Sequence, residues 1–379
     1  MKKKIFSAIG LMSGTSMDGV DLSIIQSDGH KEISFKQDEY FEYDPSLYKQ
    51  IISFRDMVSN TNDLDRYSKE LDLLEKNITL FHAKIINQLL SKFNKQIDLI
   101  GFHGQTILHN PQSKITKQLG DGNLLSRLVN KTVVYDFRQA DIANNGQGAP
   151  LTPIFHYLLA NKIVNKYKLE LPIVILNIGG ISNITQITSF SNQIEDNLLA
   201  HDIGPGNCLI DEWIRKNSKL NFDKSGEIAK SGKINQLILN QAIENFEIKN
   251  YLKSLDTKDF DISFARGLSL EDGCATITFF TAKLISDAIR KLNLKNFSKK
   301  YLLCGGGRKN DFLVDSIIKN LKDENSDFDK IDKYEFNGDY IESQAFAYLA
   351  IRSYLNLPIT FPNTTGVNKS CLGGKLTKI

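Results

Sequence analysis

The sequence predicts an α/β protein built from two copies of one sheet domain, and three observations carry that prediction. Strands and helices alternate along its 379 residues, as they do in layered α/β folds. An apolar strand that meets a Gly- and Ser-bearing turn and then returns occurs twice, at residues 5–21 (IFSAIGLMSGTSMDGVD) and 172–187 (PIVILNIGGISNITQI). Chance recurrence of a common pattern is the alternative to duplication. Third, His103, Gln105, Thr106, Asp136 and Arg138 all fall just after apolar runs, where open α/β sheets hold their ligands.

The first strand enters a turn whose chemistry suits a phosphate. Gly14 and Gly19 permit close backbone approach, Ser13, Thr15 and Ser16 bring hydroxyls, and successive N–H groups can form an anion nest. Asp18 and Asp21 would repel a bare phosphate, so they fit that reading only if one of them holds a divalent cation, through water or directly. A plain hairpin turn explains the same residues.

Residues 32–43 continue as a strand, and residues 64–93 carry Leu71, Leu74, Ile78, Phe81, Ile85 and Leu89 at helical spacing. A strand at 97–102 runs into HGQT, a helix follows GDGN at 120–123, and a β-branched strand ends at Asp136. His or Gln in such places also serves the local backbone, although clustering at equivalent strand ends favours ligand contact. The Gly-rich stretch 144–153 (NNGQGAPLTP) reads as a hinge, a substrate loop or both, ahead of a helix at 155–161. Lysine-rich residues 162–171 read as solvated surface.

In the second half, Asp202 ends an apolar strand before a Gly-Pro-Gly turn and a helix from Cys208. It is placed either for chemistry near a helix N-terminus or as a cap. A long helix at 270–292 is core. The run CGGG at 304–307 costs backbone entropy that a bare turn would not justify, so a flat ligand approaching the main chain explains it better. Glu342 sits in the first turn of a helix, where dipole complementation is its ordinary role.

Composition narrows the function classes. With 47 Lys and Arg against 44 Asp and Glu, the net charge of +3 gives no argument for nucleic acid or an acidic membrane. Four cysteines without CxxC spacing argue against a disulfide framework or structural zinc and for free thiols in a reducing cytoplasm. The MKKK start is followed by too short and too polar a run for a signal peptide, and no stretch is long enough to span a bilayer.

Taken in order, MSGTSMDGVD, HGQT, DFRQAD, GQGAPL, NIGGISN, DIGPGN, CGGG and ESQAFAYLA resemble the anhydro-N-acetylmuramic acid kinase family across residues 10–374. The resemblance implies two ribonuclease H-like domains of the actin and hexokinase-like kind with an ATP cleft between them. It also implies an ATP- and magnesium-dependent enzyme that opens the 1,6-anhydro ring of 1,6-anhydro-N-acetylmuramic acid and phosphorylates O6. The product would be N-acetylmuramic acid 6-phosphate, in cytoplasmic peptidoglycan recycling. On this resemblance Asp202 is the catalytic base, and Gly14, Thr15, Ser16, Met17, Asp18, Gly19, Val20 and Asp21 form the first phosphate loop, with Asp18 at magnesium. Gly179, Gly180, Asn183, Gly204, Gly206, Asn207, Gly305, Gly306 and Gly307 complete the nucleotide side, while His103, Gln105, Thr106, Arg138 and Glu342 lie towards the sugar.

Two positions depart from the family's pattern: His201 replaces an aromatic or apolar residue, and DFRQAD lacks the usual arginine run. Both concern fine substrate contacts rather than the chemistry. The expected domains are 1–138 with 358–379, and 139–357. An ordinary sugar kinase and an actin- or chaperone-like ATPase are the rival functions. The partner is a small amino sugar, with no nucleic acid and no membrane; a homodimer is one option for the assembly.

Overall fold

The computed structural model describes residues 4–93, 96–191, 193–246, 250–292, 300–322 and 326–377. Met1, Lys2 and Lys3 of the basic start lie outside the described residues. The chain divides into two units, Met1–Leu158 with Tyr340–Ile379, and Leu159–Asp339.

The first unit opens with β1 (Phe6–Met12), β2 (Gly19–Ser27) and β3 (Ile33–Glu42), an antiparallel meander. Helices α1 (Pro45–Met57), α2 (Thr61–Arg66) and α3 (Ser68–Leu90) follow. Then come β4 (Leu99–Phe102), the hairpin β5 (Gln105–Asn110) and β6 (Ile115–Leu119), α4 (Gly122–Val129), β7 (Thr132–Tyr135), α5 (Gln139–Ala143) and α6 (Pro153–Tyr167), within which the first unit ends at Leu158. The apolar stripe predicted over 64–93 is there, but α1 and the β5–β6 hairpin were not anticipated. Gln105 and Thr106 therefore open a strand instead of ending a loop.

The second unit holds β8 (Ile173–Ile178), β9 (Ile181–Ile187), β10 (Leu198–Pro205), α7 (Cys208–Asn217), α8 (Glu227–Ser231), α9 (Gln236–Glu244), α10 (Leu270–Lys291), β11 (Lys300–Cys304), α11 (Asp311–Asn320) and β12 (Asp327–Lys330). The chain then closes with α12 (Ile341–Tyr354), α13 (Pro362–Thr365) and β13 (Lys375–Leu376), which belong to the first unit.

Sheet topology supports the predicted duplication. In the second unit the order is β10-β9-β8-β11-β12, antiparallel over the first three strands of the chain order and parallel beyond β8. In the first it is β3-β2-β1-β4-β7, with the same pattern of directions and β13 added at the edge. Both sheets thus have the ribonuclease H-like order 3-2-1-4-5.

Each unit has its own core. Ile9, Leu22, Ile78 and Ile100 centre the first, and Val174, Ile203, Ile277 and Tyr301 the second. Helix α12 lies on β1, β2 and β4 of the first unit, buried along nearly its whole length. That packing needs two glycines, because a Cβ on Gly10 would stand 1.9 Å from the Ser343 carbonyl oxygen and one on Gly101 2.2 Å from that of Phe346. Residues 340–357, expected in the second domain, belong to the first unit through this packing, and residues 139–158 belong to it as well. All four cysteines are free and only Cys208 is not buried.

Candidate active site

The turn between β1 and β2 is shaped from inside. Met17 takes a left-handed conformation (φ 59°), and its N–H donates to the Gly14 carbonyl at 3.2 Å. Its side chain and that of Val20 are buried in the core, so they can meet a ligand only through their backbone. Gly19 is required by β3, since a Cβ there would lie 2.4 Å from the Phe41 carbonyl oxygen. Thr15, Ser16 and Asp18 are exposed, and Asp21 is half-buried.

Asp18 is well anchored. Its Oδ1 accepts from the Ser16 hydroxyl at 2.7 Å, its carbonyl accepts from the Tyr43 N–H at 2.8 Å, and the Tyr40 hydroxyl bonds its carboxylate. Burial and the Asp18 charge push the Tyr40 hydroxyl upward, so it stays protonated and donating. Among the described residues no three His, Cys, Asp or Glu side chains cluster as a metal site. One exposed carboxylate is how a protein holds magnesium when phosphates and water supply the other oxygens, so Asp18 fits the ion in that mode.

Gln105 lies against this turn. Its Nε2 donates to the Gly14 carbonyl at 3.3 Å, while its Oε1 is buried with no hydrogen-bond partner. A lone buried acceptor calls for an O–H or N–H from a ligand or water. Thr106 accepts from Gln118 Nε2 at 3.2 Å and is part of the β5–β6 hairpin.

His103 and Arg138 form a pair. The Gly104 carbonyl lies 2.8 Å from His103 Nδ1, which fixes the ring proton there, and Nε2 then accepts from Arg138 Nε–H at 3.0 Å. Burial, with the Arg138 charge beside it, holds the imidazole well below its usual range and keeps it neutral. Arg138 Nη1 donates to the Gly148 carbonyl at 2.7 Å. Gly148 is itself held: its N–H donates to buried Asp141 Oδ1 at 2.7 Å, and Thr365 Oγ1–H donates to Asp141 Oδ2 at 2.6 Å. Sequence reasoning missed this mount, because a lone Asp in a five-residue helix carries no signal beyond an ordinary cap. Asp136 is paired with Lys375 at 2.7 Å and is spent on the β13 edge. Glu342 stands half-buried in the first turn of α12, as expected.

In the second unit, Asp202 lies within β10 at a bulge, where the register with β9 shifts between Asp202 and Gly204. It is 6% exposed, and its Oδ2 accepts the Leu255 N–H at 3.0 Å. The bulge turns the strand end so that Gly204 adopts φ 153° and Pro205 leads into α7, whose N-cap is Asn207. His201 is anchored next door, its Nδ1 2.9 Å from the Tyr251 carbonyl, and burial lowers its pKa.

The glycines separate into two kinds. Gly206, Gly305 and Gly307 have internal reasons: a Cβ would meet the Gly179 carbonyl oxygen at 2.1 Å, Asn177 Oδ1 at 2.4 Å and Ile178 Cγ2 at 2.2 Å respectively. Gly14, Gly179 and Gly306 have none, for nothing lies closer than 3.4 Å to a Cβ built on them and none has a left-handed φ. Each stands just past the end of a strand, at β1, β8 and β11. A glycine that the protein does not need for itself marks a place where a ligand meets the main chain.

Comparison with known proteins adds the rest. The family model for anhydro-N-acetylmuramic acid kinase matches residues 6–378. An anhydro-N-acetylmuramic acid kinase of Pelagibacter ubique is 51% identical, with 99% of each chain covered. Relatives of the same description from Brucella suis and Agrobacterium fabrum are 38% and 37% identical, covering 97% and 99% of each chain. Among the described residues no helix is long and apolar enough to cross a membrane.

Proposed function

The chain belongs to the anhydro-N-acetylmuramic acid kinase family, as an ATP-dependent sugar kinase of cell-wall recycling, and from that premise we propose how its residues divide the work. The observation that carries the nucleotide assignment is the trio Gly14, Gly179 and Gly306, glycines at strand ends with no internal need to be glycine. Backbone N–H groups at such ends neutralise phosphate charge at no side-chain cost.

Phosphoryl transfer asks a protein mainly for positioning and charge stabilisation. Asp18 would hold magnesium, which when bound offsets the charge of the phosphates. Asp202 is the general base: it takes a proton from the water that attacks the anomeric carbon of the 1,6-anhydro sugar. The C1–O6 bond breaks, and O6 takes the γ-phosphoryl group, leaving ADP. Leu255 N–H holds one carboxylate oxygen of Asp202 and so sets the direction in which the other faces.

On the sugar side, Arg138 is the cationic contact and His103 its neutral support, with Gln105 Oε1 accepting from a sugar hydroxyl or amide. Thr106 and Glu342 line the same role less directly. A cytoplasmic location, where ATP is plentiful, accompanies this reading.

Incubation with ATP, magnesium and 1,6-anhydro-N-acetylmuramic acid tests it. Mass spectrometry is expected to show N-acetylmuramic acid 6-phosphate and equimolar ADP. ADP release without a phosphorylated sugar would favour an actin- or chaperone-like ATPase and overturn the assignment.

A further inference from the structure

Water attacking a sugar carbon carries two hydrogens. A general base accepts one, and the second needs its own acceptor if the oxygen lone pair is to be aimed. The second unit contains a buried acceptor placed for this. In the β9–β10 register Asn183 is directly opposite Asp202, and in the β8–β9 register it is opposite Asn177. Directly opposed residues share a face, with Cβ atoms about 5 Å apart. The three form a polar row across the sheet, while the adjacent Ile184 and Ile203 point into the core on the other face.

Asn183 is 9% exposed, and its Oδ1 is buried with no hydrogen-bond partner. An amide oxygen kept dry and unpaired costs stability, so its presence beside Asp202 calls for a missing donor. A nucleotide phosphate offers no donor to an amide oxygen, but water does.

We propose that Asn183 is a catalytic residue of the hydrolytic step, its Oδ1 accepting one hydrogen of the attacking water while Asp202 accepts the other. The inference deepens the proposed function and rests on Asp202 being the base. In the step, the water oxygen bonds to C1, the C1–O6 electron pair stays with O6, and O6 takes the γ-phosphoryl group from ATP. The proton ends on Asp202 and returns to solvent. Asn183, which family resemblance groups with the nucleotide side, thereby moves to the water.

Steady-state kinetics and thermal melts of the full chain and its Asn183→Leu, Asp202→Asn and doubly substituted variants test this. Asn183→Leu removes the acceptor at similar volume, so kcat should fall about 100-fold while KM for ATP and for the sugar move less than about threefold. The melting temperature should hold or rise, because an unpaired buried oxygen is gone. A residue needed only for the fold would do the reverse. The double variant should be no slower than Asp202→Asn alone, since both act on one water. Asn183→Leu at near wild-type kcat beside a slow Asp202→Asn would overturn the inference and leave the base assignment standing. A loss confined to KM for ATP would return Asn183 to the nucleotide. Wild-type rates in Asp202→Asn would remove the base, and this inference with it.

Discussion

Both ring nitrogens of His103 are engaged, Nδ1 with the Gly104 carbonyl and Nε2 with Arg138 Nε–H, so the imidazole cannot serve as a base where it stands. Its ring nitrogen holds Arg138 in place, a contact that the expected sugar-side position of His103 did not include. That distinction is invisible in HGQT itself, because it depends on a partner 35 residues away. The glycine run CGGG was legible as unusual, but its members divide into two kinds, Gly305 and Gly307 required by packing and Gly306 not. Gly306→Ala should raise KM for ATP about tenfold, a cost of about 1.4 kcal/mol, with the melting temperature unchanged. Gly307→Ala should instead lower the melting temperature, since its Cβ would strike Ile178. Nucleotide titration and a thermal melt of the two variants separate these effects, and equal behaviour in both assays would contradict the division.

At the scale of elements, the second strand–turn–strand unit could be read from Pro172 onward because its apolar run and glycine turn are local features. The place of α12 could not. Nothing in ESQAFAYLA says which sheet it covers; that is decided by Gly10 and Gly101, which let its backbone sit against β1 and β4. Gly10→Ala should therefore destabilise the first unit by at least about 2 kcal/mol, through overpacking against a backbone that cannot yield. Urea denaturation checks the prediction, and a midpoint within error of wild type would refute it. The Asp141–Gly148–Arg138 mount escaped for a similar reason, as it joins α5, the loop after it and Thr365 of α13. The β5–β6 hairpin was hidden by HGQT, whose glycine reads as a loop although Gln105 already begins a strand.

Across the whole molecule, three fully buried histidines shape the pH response. Burial lowers His82 to about 4 and His156 to about 3, and holds His103 well below its ordinary range. In the unfolded chain each titrates at about 6.5, so between that value and the folded pKa the unfolded state binds more protons. The stability associated with neutral histidines is complete above pH about 6.5 and is lost as pH falls towards 4. Denaturant midpoints measured between pH 7.5 and 4 should show that decline, with a shallower slope in His82→Phe; a flat profile down to pH 5 would contradict it.

The duplicated sheet was legible because strand order follows from two local repeats, and the family from motifs spread over the whole chain. Asp202 stood out as a carboxylate before a Gly-Pro-Gly turn, although that pattern also fits a helix cap and its proposed role as base came from the family resemblance, whereas its neighbour across the sheet needed the strand register. In the proposed reaction water opens the sugar as O6 is phosphorylated, with Asp202 as base. Running it in ¹⁸O-water, with the product quenched early and free exchange at the anomeric centre controlled, reads out the attacking oxygen. One ¹⁸O should appear at the anomeric hydroxyl and none in the phosphate, and Asp202→Asn should slow that labelling by about 10²- to 10⁴-fold. Phosphorylated product formed from the anhydro sugar without label at C1, or with label in the phosphate, would rule out water as the group that opens the ring.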